Sequence, residues 1–234
     1  MAPALRDGVV DVWSVRDAAA PDSWLSGLPD AGERERAARF ASRDTGAAWL
    51  TTHAILRALL GTYLDADPRG LRFRTGAHGK PALAGPGAHV RFNLSHTDGI
   101  ALLAFAIGWE LGVDVERSSR RLGAIVVSRR VFGAQTADEL ARLPPAQRDR
   151  EFLRLWVRHE AALKCAGVGL GGASGGMGLG RPGGPGVGSA PEPWITDLDA
   201  GEDAAAALAV AVRPAAVRML EWPGQLAGPD ARPW

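Results

Sequence analysis

Apolar and polar positions change their period several times along the chain, and each change marks an element. Val9 to Trp13 reads as a short strand. The charged run Glu33-Arg34-Glu35-Arg36, after Pro29-Asp30, opens a helical region. From Trp49 through Ile55, Leu56, Leu59, Leu60 and Tyr63 to Leu64 the apolar positions recur at three- and four-residue spacing, which predicts a helix. Gly61 is tolerated inside that pattern at a modest cost. Leu71 to Arg74 alternates as a strand does, and the turn-rich stretch Thr75 to Pro81 follows. Val90 to Leu94 and Ile100 to Phe105 predict strands around a loop, Ser95-His96-Thr97-Asp98-Gly99, in which polar side chains can converge. Leu111 to Val115 predicts the next strand.

The order of elements then partly repeats. Arg129 to Leu143 carries helical material, which Pro144-Pro145 breaks. An amphipathic helix is expected from about Gln147 to Ala166, with Phe152, Leu155, Trp156 and Leu163 on one side and Gly167 at its C-terminus. Residues 167–190 are mostly glycine and predict a flexible insert. Ile195 to Leu198 and Leu208 to Val212 close the chain as strands. The expected class is α+β, with short antiparallel strands in two similar halves rather than a Rossmann alternation. The division falls at 1–106 and 107–222, with a tail at 223–234.

Two segments carry the candidate chemistry. Gly112-Val113-Asp114-Val115-Glu116 sets two carboxylates two residues apart on a strand, so both point to one face. Glu160 and Lys164 stand four apart on the late helix, hence on one side of it. If that helix packs over that strand, Asp114, Glu116 and Glu160 meet near one lysine. Such oxygen-only ligands suit Mg²⁺, which prefers a few carboxylates plus substrate phosphates.

Composition sharpens this picture at three points. The chain has 25 arginines and two lysines, Lys80 and Lys164. An ammonium is not interchangeable with a guanidinium, so both lysines read as functional choices. Cys165 is alone, which excludes an intramolecular disulfide and a cysteine metal site and suits a reducing, cytoplasmic setting. Burial in the helix makes it inert core. A formal net charge of +1 gives no overall pull toward nucleic acid or membrane. The first residues, MAPALRDGVVDVW, predict no signal peptide, and the longest apolar run, Gly99 to Trp109, is too short to span a bilayer.

Other constellations fail on their spacing. The five histidines show no zinc pattern. Ser95-His96 lacks the elbow and orienting acid of a nucleophile, and donating hydrogen bonds to phosphate is its better use. Gly79-Lys80-Pro81 lacks the remaining residues of a nucleotide P-loop.

Taken in order, Gly79-Lys80-Pro81, Phe92-Asn93-Leu94-Ser95-His96, Gly112 to Glu116, Phe152 to Lys164 and Gly167-Val168-Gly169-Leu170 resemble the surfactin-type 4′-phosphopantetheinyl transferase family. The resemblance covers roughly residues 33–212. It implies two similar α+β halves about a pseudo-twofold axis, with coenzyme A bound in the cleft between them. It further implies transfer of the phosphopantetheine arm to a serine of an apo acyl or peptidyl carrier protein, releasing adenosine 3′,5′-bisphosphate. On the matching positions, Asp114, Glu116 and Glu160 would hold Mg²⁺, Glu160 would also be the general base, and Lys164 would stabilise phosphate charge. Ser95, His96 and Lys80 would contact the coenzyme phosphates. Trp156 would pack.

Two positions depart from the family pattern. His159 stands where a lysine is common, making the local charge pH-dependent near its ordinary value of about 6.5. Gly46, Ala47 and Ala48 are neutral where an arginine for the 3′-phosphate is expected, and Arg36, Arg39 or Arg43 would compensate. The arginine-rich stretch from Arg129 to Arg158 predicts an acidic carrier. A monomer is expected. A non-catalytic coenzyme A or carrier-binding module and a metal-dependent phosphoester hydrolase are the competing readings.

Overall fold

The computed structural model describes residues 4–16, 23–76, 78–119, 123–168 and 192–223. The glycine-rich stretch from 169, including Gly169-Leu170, and the tail from 224 lie outside the described residues. Nine strands and six α-helices are described: β1 (Val9–Arg16), α1 (Ser23–Ser26), α2 (Ala31–Ala38), α3 (Arg43–Leu64), β2 (Phe73–Thr75), β3 (Pro81–Leu83), β4 (Val90–Thr97), β5 (Ile100–Ile107), β6 (Leu111–Arg117), α4 (Ala124–Val131), α5 (Ala134–Ala141), α6 (Pro145–Ala166), β7 (Trp194–Leu198), β8 (Ala204–Val210) and β9 (Ala216–Glu221). The class is mixed α+β, as the sequence predicts.

Alternation along β1 builds the layers. Trp13 and Val15 face Ile55, Leu56, Leu59 and Leu60 of α3, while Val10 and Val12 face the opposite way onto Val113, Val115, Leu208 and Val210. One sheet runs β4-β5-β1-β9 and the other β6-β8-β7. The far face of the second sheet, through Ala207 and Ala209, packs on Val157, Ala161, Ala162 and Cys165 of α6. The order is therefore helix, sheet, sheet, helix, and each 22-residue helix covers one sheet.

Helix ends follow local chemistry. Asp30 and Glu33 form a capping box at the start of α2. Gly167, at φ 70°, ends α6 as expected. Arg57 of α3 is fully buried and holds α2 in place, with Nη2 on Asp30 at 2.7 Å and Nε on Glu33 at 2.7 Å.

Several boundaries differ from the expectation. β4 continues through Ser95, His96 and Thr97, and only Asp98-Gly99 turns, because the alternate residues Asn93 and Ser95 find polar partners on β6. The helical stretch 129–143 is two helices, parted at Gly133, whose φ is 91°. α3 begins at Arg43, ahead of Trp49. The unforeseen β9 runs parallel to β1, with Arg218 beside Asp11. Its inward arginine breaks the apolar alternation, since Nε and Nη2 bond the buried Asp11 carboxylate at 2.6 and 2.8 Å. Tyr63 donates to the same carboxylate at 2.8 Å, and burial pushes its phenol far above the ordinary value.

Candidate active site between α2–α3 and α6

β6 sets the carboxylates. Gly112, Asp114 and Glu116 lie on the face that α6 covers, opposite Ala209, Ala207 and Ala205 of β8. The helix comes in very close at Gly112: a Cβ there would stand 2.1 Å from Ala161 O and 2.4 Å from Cys165 N. Only glycine admits that approach. It brings Lys164 onto the strand, where Nζ donates to Asp114 Oδ1 at 2.7 Å and to Val113 O at 3.0 Å. The expected packing of the late helix over the acidic strand is what the structure has.

Asp114 is 4% exposed. Ser95 Oγ also donates to its Oδ1, at 2.8 Å, so that oxygen is doubly served. Its Oδ2 is buried and accepts no hydrogen bond from the described residues. A buried carboxylate oxygen in that state is costly unless something positive reaches it. Glu116 and Glu160 are buried as well. Among the described residues no group of three or more His, Cys, Asp or Glu side chains is placed to hold a metal ion by itself, so the expected meeting of Asp114, Glu116 and Glu160 is not a ready-made ligand set. Oxygen donors on one face, one of them open, fit Mg²⁺ completed by water and phosphate rather than a protein cage.

A cleft of about 320 Å³ opens beside this cluster. Glu160, Leu163 and Lys164 form one wall, and Arg36, Trp49 and His53 of α2 and α3 form another. Gly79-Lys80-Pro81 and Asn93 complete it. Arg36 lies over the Trp49 ring at 5.3 Å, and His53 stacks on the same indole at 3.7 Å. The sequence pattern had shown Trp49 only as an apolar helix position and His53 only as a histidine without zinc spacing.

The three candidate arginines part company. Arg36 lines the cleft; Arg39 pairs with Glu35 on the exposed side of α2, and Arg43 is exposed at the start of α3. The neutral Gly46 has a packing cause, since a Cβ would meet Ala37 O at 2.4 Å.

Lys80 Nζ bonds Glu110 at 2.6 Å, Leu111 O at 2.9 Å and Cys165 O at 3.4 Å, at the rim of the cleft. His96 is half-buried. Burial lowers its pKa, and the nearby charges of His53 and Lys164 lower it further. His159 is buried against Phe132, with ring centroids 5.5 Å apart, and near Trp156. Burial holds its pKa below the ordinary value, so a charge change there would fall lower than the expected 6.5. Trp156 stacks on Phe152 as a packing residue. Burial pushes the Cys165 thiol up to about 11, in keeping with inert core.

The sequence model of the 4′-phosphopantetheinyl transferase superfamily matches residues 110–179, which contain β6 and α6. The chain is 32% identical over 155 residues to the 4′-phosphopantetheinyl transferase HetI of Nostoc, covering 64% of this chain and 65% of that protein. It is 29% identical over 141 residues to the 4′-phosphopantetheinyl transferase of Bacillus subtilis, covering 60% of this chain and 61% of that one. It thus spans somewhat under two thirds of those two relatives. With 4′-phosphopantetheinyl transferase AcpT of Escherichia coli K12 the identity is 36% over 147 residues, 62% of this chain and 69% of the relative. On that likeness, and on the superfamily match across the acidic strand and its covering helix, the chain belongs to the 4′-phosphopantetheinyl transferase superfamily.

Proposed function

We propose that this protein is a surfactin-type transferase that moves the 4′-phosphopantetheine arm of coenzyme A to a serine of an apo acyl or peptidyl carrier protein. The observation that carries the reading is the pairing of Lys164 with a buried Asp114 whose second oxygen stays open. A binding module has no need of that costly arrangement. The two outer helices on their sheets support a pseudo-twofold division into halves at 1–106 and 107–222, except that β9 returns from the second half to pair with β1 in the sheet of the first. The protein acts as a cytoplasmic monomer.

Asp114, Glu116 and Glu160 would hold Mg²⁺. Bound there, the cation neutralises phosphate charge and stabilises what builds up on the leaving group. Glu160 accepts the proton of the carrier serine, directly or through water. The serine oxygen forms its bond to the β-phosphorus, the bridging P–O bond of the diphosphate breaks, and adenosine 3′,5′-bisphosphate leaves with that oxygen. Lys164 adds fixed positive charge beside the reacting phosphates, where preorganised electrostatics does most of the work. Arg36, with Lys80 and His96, grips the coenzyme phosphates, and Arg39 and Arg43 extend the positive field at the cleft mouth. Ser95, expected at the phosphates, instead gives its hydroxyl proton to Asp114 Oδ1 in a hydrogen bond and orients that carboxylate.

Intact-mass measurement on a panel of apo carriers, with coenzyme A and Mg²⁺, tests the reading. A gain of one phosphopantetheine arm, lost with EDTA, is expected. No gain on any carrier, while coenzyme A still raises the melting temperature, would leave a binding module.

A further inference from the structure

Among the described residues β6 pairs with β8 on one edge only. Groups on its other edge point outward at alternate residues, and buried backbone groups there need partners. Lysines take the carbonyls: Lys80 bonds Leu111 O and Lys164 bonds Val113 O. β4 takes the N–H groups. Val113 N–H donates to Asn93 Oδ1 at 2.9 Å, and Val115 N–H to Ser95 Oγ at 3.4 Å. Both acceptors are buried, two residues apart, matching the two-residue step from Val113 to Val115. Side chains thus replace a ladder where the two sheets meet.

Asn93 has no part in the chemistry proposed above. We infer that Asn93 is a positioning residue, which fixes β6 through the Val113 N–H so that Asp114 meets Ser95 and Lys164 with one oxygen and keeps the other open for the metal ion. The inference rests on the reading of Asp114 as a Mg²⁺ ligand. Removing the acceptor leaves a buried N–H unsatisfied and frees the strand beside Asp114 to shift. Groups that orient a ligating side chain typically govern metal affinity by about 10–100-fold.

Mn²⁺ is the probe, its binding read from loss of the free-ion electron paramagnetic resonance signal in the presence of coenzyme A. Asn93→Leu, near in size and without an acceptor, is expected to weaken Mn²⁺ binding by about tenfold and to leave the KM for coenzyme A within about twofold. Asn93→Asp, which keeps an acceptor oxygen, should not weaken it. Leu59→Ala, in the core under α3, controls for lost stability and should leave Mn²⁺ affinity unchanged. Wild-type affinity in Asn93→Leu overturns the inference, as does an equal loss in Leu59→Ala or in Asn93→Asp. A raised KM for coenzyme A with intact Mn²⁺ binding overturns it too, making Asn93 a substrate contact. Absence of Mn²⁺ binding by the wild type would instead bring down the metal reading beneath it.

Discussion

Lys80 and Lys164 cap carbonyls two residues apart on the open edge of β6, Leu111 O at 2.9 Å and Val113 O at 3.0 Å. They are the only lysines in the sequence. The compact ammonium explains the choice, since each Nζ reaches a carbonyl of β6 and a carboxylate at once. A planar guanidinium at position 164 would have to displace Asp114 or Val113. Lys164→Arg is therefore expected to lose about 10²-fold in kcat despite keeping the charge, with Lys164→Ala losing at least as much. Single-turnover transfer assays measure both.

Gly112 sets how closely α6 can lie on β6. Gly112→Ala places a methyl against Ala161 O and Cys165 N and must push the helix outward. Overpacking of this kind costs about 1–3 kcal/mol. Denaturant unfolding should show that loss, and the rate of the proposed transfer should fall with it because Glu160 and Lys164 ride on the displaced helix.

The α2–α3 junction predicts the response to acid. Burial pushes the Glu33 carboxyl up, but hydrogen bonds from His53, the Asp30 N–H and Arg57, with the charge of Arg57, outweigh it and hold the pKa below 4.5. A carboxyl lowered by folding stabilises the fold above its unfolded pKa and loses that contribution as pH falls through the folded value. Melting temperature should therefore hold down to about pH 4.5 and then fall. Glu33→Gln should start lower and lose less over the same interval. A Glu33→Gln profile parallel to wild type would contradict this.

The arginines between 129 and 158 are not equivalent toward a carrier. Arg154 and Arg158 are tied to Asp197, and Arg129 to Asp138. Arg142 and Arg150 are exposed. Reversing both to Glu should raise the KM for an acidic carrier several-fold and spare the KM for coenzyme A. The wild-type KM for carrier should climb with salt, because exposed charges are screened over about 10 Å at 0.1 M.

The acidic strand and its partner helix were legible because period-two spacing puts Asp114 and Glu116 on one face and i,i+4 spacing joins Glu160 to Lys164. The facing wall was not. Trp49 falls on the apolar stripe of α3, so the stripe alone reads it as core, although its ring also holds Arg36 and His53 at the cleft. Three arginines near the start of the domain were equal in sequence, and only the turn of α2 separates Arg36 from Arg39. Asn93 and Ser95 looked like motif and loop because nothing local shows that their partners lie on β6, 20 residues on. β9 escaped for a related reason: Arg218 makes sense only beside Asp11, 207 residues away.

The most direct test is intact-mass analysis of an apo carrier incubated with coenzyme A, Mg²⁺ and either wild-type protein or Glu160→Gln. Wild type should add one phosphopantetheine arm to the carrier serine, and Glu160→Gln, folded and still able to bind coenzyme A, should add none on the same timescale. Equal modification by the two proteins would contradict the assignment of Glu160 to both metal and proton.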